Sequence, residues 1–120
     1  MKPQLVFVYN ADSGLFNTMA DIAHKLISPQ TYSCNLCALT HTAFGMKDDW
    51  RDFLETLNAE LEFLHRDEFV KAGGSDSADL PAIFLRKEIT FDVWMSAAEI
   101  NKLEDLESLK SGIHQRLQAE

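Results

Sequence analysis

A chain of 120 residues, 46% hydrophobic and 25% charged, is long enough to bury a core without disulfide staples, and its composition excludes a disordered or membrane-embedded protein. Nineteen acidic residues against 11 basic ones give a net charge of −8. That charge repels phosphate backbones and anionic lipid, so neither nucleic acid nor a membrane surface is expected as a partner.

Met-Lys-Pro-Gln leads straight into Leu5-Val6-Phe7-Val8-Tyr9. The run is too short for a secretory h-region or a membrane span, which predicts a cytoplasmic protein. Its β-branched and aromatic residues, ending at the turn formers Asn10-Ala11-Asp12-Ser13-Gly14, read as a buried central strand. Asp12 or Ser13 would cap a helix carrying Leu15, Phe16, Met19, Ile22, Ala23, Leu26 and Ile27, stopping before Pro29. Strand, polar loop and helix together present backbone N–H groups and a positive dipole end at the strand's carboxyl edge. Asn10, Asp12, Ser13 and Gly14 are therefore candidate ligand contacts, although the same residues serve equally as an ordinary turn and cap.

Residues 28–46 hold no sustained period and read as a loop with a short extended piece near Leu36 to Thr40. After Gly45 the spacing of Trp50, Phe53, Leu54 and Leu57 predicts an amphipathic helix from Lys47 to Leu57, with Asp48 and Asp49 in the first turn where the macrodipole favours them. Leu61, Phe63 and His65 alternate with other residues as in a short strand, a small helix follows over Asp67 to Ala72, and Gly73 to Ser77 is a loop. Leu80 to Leu85 is a strand opened by Pro81, turned by Arg86-Lys87-Glu88 into an antiparallel partner over Ile89 to Met95. Ile100, Leu103, Leu106, Leu109, Ile113 and Leu117 then mark one C-terminal helix, or two broken near Asp105. No repeat or linker divides the chain, so residues 1–120 are expected to form a single domain.

The only two cysteines stand at Cys34 and Cys37. Two cysteines placed at random in such a chain would fall three apart about 2% of the time, so the spacing points to chemistry. In a thiol redox protein Cys34 would be the nucleophile and Cys37 the resolving thiol, because a helix start and a second sulfur depress the attacking thiol's pKa. This use needs no cofactor, and its partner is a small-molecule or protein thiol or disulfide. In a metal site Cys34, Cys37 and His41 would supply three ligands to zinc, with His24, His65 or a carboxylate as the fourth. The plain alternative is two small buried thiols packing a loop against the core. His114 reads as a solvated helix residue, and Trp50 and Trp94 as core.

The order of elements resembles the thioredoxin-like superfamily, most specifically in Leu80-Pro81-Ala82-Ile83-Phe84-Leu85 followed by Arg86-Lys87-Glu88 and Ile89. The resemblance implies an α/β fold: a small mixed sheet with flanking helices, Pro81 in the cis form beside the functional site, and the C-x-x-C loop plus helix as an insertion. Two registers fit. In one, Cys34 to Cys37 is the redox motif, but the preceding Ile27 to Ser33, with Pro29, is a poor buried strand. In the other, favoured by strand chemistry, Leu5 to Tyr9 is the central strand and the motif position falls on Asn10 to Gly14. A groove between Asn10 to Gly14 and Pro81 would then suit a non-catalytic ligand- or peptide-binding module. The chain also resembles small uncharacterised bacterial proteins carrying Tyr-Asn-Ala-Asp-Ser-Gly and Cys-Asn-Leu-Cys-Ala-Leu-Thr, here Tyr9 to Gly14 and Cys34 to Thr40, some of them labelled GTPase. No G-x-x-x-x-G-K-[ST] loop is present and no lysine follows Gly14 to reach phosphates, so the residues speak against nucleotide hydrolysis.

Overall fold

The computed structural model describes residues 2–10, 35–42, 45–88 and 90–119. The expected helix after Ser13, the loop residues Asp12, Ser13 and Gly14, and Cys34 and His24 lie outside them. The described elements are β1 (Gln4–Tyr9), α1 (Asn35–Thr40), β2 (His41–Thr42), β3 (Gly45–Met46), α2 (Asp48–Glu55), β4 (Glu60–His65), α3 (Arg66–Lys71), β5 (Ala82–Lys87), β6 (Thr90–Met95), α4 (Ala97–Asn101) and α5 (Leu106–Ala119). No helix among the described residues is long and apolar enough to cross a membrane.

The fold is mixed α/β. Four strands lie in the order β4-β1-β5-β6, with β4 parallel to β1, and β5 antiparallel to both β1 and β6. The continuous apolar run of β1 follows from its place inside this sheet, where both faces are covered. Leu5, Phe7 and Tyr9 join Leu36, Cys37, Trp50, Ile83, Met95, Ile100, Leu109 and Ile113 in one cluster. Val6 and Val8 join Phe69, Ala82 and Phe84 in another. Strand period thus divides β1 between two cores. The first is aromatic at its centre: Phe7 stacks on Phe63 at 4.8 Å and meets Trp50 edge-on at 5.8 Å.

Most expected elements are present with ends shifted by one or two residues. The C-terminus is two helices broken around Asp105, and Trp50 is fully buried while Trp94 packs partly buried against the same core. His114 is exposed on α5. Two expectations are corrected. β5 does not turn at Arg86 but continues through Lys87, because both residues pair with β6, and the turn falls at Glu88, whose φ is +50°. Leu36 to Thr40 is not extended but lies in helix α1. Its buried Leu36, Leu39 and Thr40 recur at the helical spacings of three and four, in a segment too short for that period to stand out.

Candidate functional site

β1 and β4 run parallel and end together, with Tyr9 opposite His65. β5 enters at the same edge, since Val8 pairs with Ala82 directly after the Leu80-Pro81 peptide, which is cis as expected. Asn10, one residue past β1, and Pro81, one residue before β5, are therefore neighbours at one rim of the sheet. The carboxyl ends of parallel strands are where α/β sheets usually meet ligands.

A polar and aromatic cluster fills this rim. The Tyr9 ring stacks on Phe63 at 6.5 Å, meets the His41 ring edge-on at 5.7 Å and the His65 ring at 5.9 Å. Burial raises the Tyr9 pKa well above its ordinary value, and a hydrogen bond with the Thr40 side chain offsets part of that. Thr40 Oγ1 lies 2.7 Å from the Leu36 carbonyl oxygen and 2.7 Å from His41 Nδ1. Thr40 Oγ1 thus stands between the Leu36 carbonyl, the Tyr9 hydroxyl and the His41 ring with one hydrogen to give, so the direction of its bond with His41 Nδ1 is set by the tautomer of the ring. Burial first, then the charges of His65 and Lys47, lower the His41 pKa. On the other side His65 Nδ1 lies 2.7 Å from Glu68 Oε1, and the ionised carboxylate can only accept, so the ring N–H donates. The same oxygen accepts from the His65 backbone N–H at 2.8 Å, and these bonds hold the Glu68 carboxyl below its usual pKa.

Cys37 lies in the first turn of α1, is only 6% exposed, and its sulfur is disulfide-bonded. Cys34, the only other cysteine in the chain, is outside the described residues. α1 is fixed by Leu36, fully buried in the core, and by Asn35, whose Nδ2 donates to the carbonyls of Ile100 at 2.7 Å and Leu103 at 3.1 Å.

Of the residues singled out in the sequence, Asn10 and Pro81 come to the rim, and His41 joins it from the end of α1. Asp12, Ser13, Gly14 and Cys34 lie outside the described residues. His41 points its Nδ1 at Thr40, and among the described residues no group of three or more His, Cys, Asp or Glu side chains is gathered to hold a metal. Sequence reading missed Tyr9, Thr40, Glu68 and Asn35 as members of this region. The His65-x-x-Glu68 spacing ahead of Phe69 was a legible helix-start signal. Asn35 carried none, because its partners are 65 and 68 positions away. Shallow depressions lined by Gln4, Glu60, Leu85, Arg86 and Lys87 open at the opposite rim. No protein-family model, curated protein or solved structure matches the chain.

Proposed function

We propose that the protein is a thiol–disulfide redox protein of thioredoxin-like architecture, with Cys34 as attacking and Cys37 as resolving thiol. The state of Cys37 carries this reading: a disulfide-bonded sulfur, nearly buried, in the first turn of a helix. A resolving thiol works from inside, since the only bond it must reach is the mixed disulfide on its neighbour. The arrangement of the sheet lends support, because β1 and the Pro81-led β5 are adjacent central strands that meet at one rim, as the thioredoxin-like resemblance implies.

The chemistry balances without a cofactor. The Cys34 thiolate attacks a substrate disulfide, forming a mixed disulfide and releasing one substrate thiolate. The Cys37 thiolate then attacks the Cys34 sulfur, closing the protein ring and releasing the second thiolate. The substrate disulfide gains two electrons, and an external dithiol returns the protein to its reduced form while becoming oxidised itself. Zinc held by Cys34, Cys37 and His41 is the competing use of the same residues; it requires both sulfurs as thiolates. Non-catalytic binding at Asn10 and Pro81 would use the rim but leaves the cysteine pair without a task.

The test is direct. Wild-type protein supplied with a dithiol should reduce a small aromatic disulfide, Cys34→Ser should abolish that activity, and Cys37→Ser should accumulate a mixed disulfide visible by mass spectrometry. In the reduced protein Cys34 should alkylate faster than Cys37. Equal and slow alkylation of both, with no turnover, ends the redox reading, and stoichiometric zinc in protein purified without chelator moves the pair to the metal reading.

A further inference from the structure

We infer that Asn35 is a positioning residue for the cysteine pair, fastening the turn that carries Cys37 to the corner between α4 and α5. The side-chain amide of Asn35 has two N–H groups, and they go to two different carbonyls, Ile100 at 2.7 Å and Leu103 at 3.1 Å. These carbonyls belong to the last turn of α4 and the residue after its C-cap, Lys102, where helix geometry leaves carbonyls short of partners. Two donors on one rigid plane, spent on two acceptors of a fixed corner, set both the position and the orientation of Asn35. The residue lies between the two cysteines in sequence, so what fixes it fixes the backbone of the motif.

The need for such a tether follows from α1 itself. Six residues are far below the length at which a helix holds its own shape in water, and its first turn has no acidic residue to complement the dipole. Leu36 and Leu39 anchor one face in the core. Among the described residues the Asn35 amide supplies a further point of attachment, at the end of the helix that carries Cys37. Without it the first turn is free to fray, and each sulfur samples more space relative to the other. Ring closure depends on the effective concentration of one thiol at the other, which falls as that space grows.

The inference rests on the proposed redox role only for its use in turnover, because ring closure can be measured by itself. Reduced protein equilibrated with oxidised glutathione forms the protein disulfide and two molecules of reduced glutathione, and the equilibrium constant follows from the ratio of species after acid quenching. Asn35→Ala should lower this constant about tenfold, a rise in reduction potential of about 30 mV for a two-electron couple. Asn35→Asp, which keeps the size but replaces both donors by a carboxylate facing two carbonyls, should lower it at least as much. Ser96→Ala loosens the opposite end of α4 and leaves the tether intact, so it should stay within twofold of wild type. Should Asn35→Ala fail to fold by circular dichroism, Asn35→Gln, with its donors one methylene further out, carries the test with a smaller change of the same sign. An unchanged constant in the Asn35 variants, or an equal change in Ser96→Ala, overturns the assignment. Wild-type protein that closes its ring yet never turns over a disulfide substrate would instead remove the redox reading and leave the role of Asn35 standing.

Discussion

In residues 60–119 each helix starts on a signal a few positions away, whereas among the described residues the start of the helix at residues 35–40 is held by distant parts of the chain. α3 begins with the Glu68 carboxylate on the His65 N–H, and α4 with Ser96 and Glu99 exchanging bonds in a capping box. α5 begins with Asp105 accepting from Ser108 N and Oγ at 2.8 and 2.7 Å. For α1 the corresponding contacts are Asn35 to Ile100 and Leu103, and Leu36 in a core built by β1, α2, α4 and α5. A helix of the first kind is specified locally and forms where it stands. One of the second kind exists only once the rest has folded, which suits a segment whose task is to present reactive groups at a chosen place.

The largest effect that can break this contrast comes from Leu36. It is fully buried and provides the apolar anchor of α1, so Leu36→Ala should cost about 2–5 kcal/mol of stability in urea unfolding, the range for truncating a core leucine. A loss below about 1 kcal/mol would mean that the site collapses around the smaller side chain and that α1 does not depend on the shared core.

A pH titration sharpens the comparison because the two regions carry shifted groups of opposite type. Burial and the charges of His65 and Lys47 put the folded pKa of His41 below 6.5. Between that lowered value and 6.5 the unfolded chain binds more protons, so stability rises with pH there and is lost as pH falls. Glu68 and Glu99, held by hydrogen bonds at the starts of α3 and α4, have folded pKa values below 4.5. Their contribution is intact above 4.5 and disappears as pH falls through the folded values. On acidification the surroundings of His41 should therefore loosen first and the caps later. Amide exchange near residues 40–47 at pH 6, compared with residues 65–68 and 96–99 at pH 4, checks the order. His41→Gln should flatten the slope of stability near pH 6; a slope that survives that substitution assigns it to another group.

The same contrast explains what was legible in the sequence. The central strand could be read because Leu5 to Tyr9 is apolar without a break, and α5 because Leu106, Leu109, Ile113 and Leu117 keep one face over about three turns. Pro81 marked the start of its strand by removing an N–H, and the turn after β5 was misplaced by one or two residues because Arg86 and Lys87 are polar and yet pair with β6. α1 was misread because six residues give period-finding little to work with and its stabilising contacts are far away in sequence. For the site, Asn10, Pro81, Cys37 and His41 could be picked out as residue types suited to turns and chemistry. Tyr9 and Thr40 could not, since only the parallel pairing of β1 with β4 and the end of α1 bring them to His41 and His65.

The smallest expected effect lies on the surface between the two regions. Arg51 Nη2 meets Asp48 Oδ1 at 2.5 Å across one turn of α2, and both side chains are mostly exposed, at 56% and 81%. In that setting solvent screens the attraction and two long side chains lose freedom to make it, so the pair contributes about 0–0.5 kcal/mol. Arg51→Ala also places the best helix former at an interior helix position, which offsets a few tenths of that. Asp48→Ala is a poorer probe, because Asp48 also sits in the first turn, where the helix dipole favours its charge independently of Arg51. Stability of Arg51→Ala should therefore stay within about 0.5 kcal/mol of wild type in urea unfolding and lose any difference in high salt. A loss above about 1 kcal/mol would show that α2, unlike α1, draws on its surface charges for stability, and that the division between locally and distantly held helices runs through α2 rather than before it.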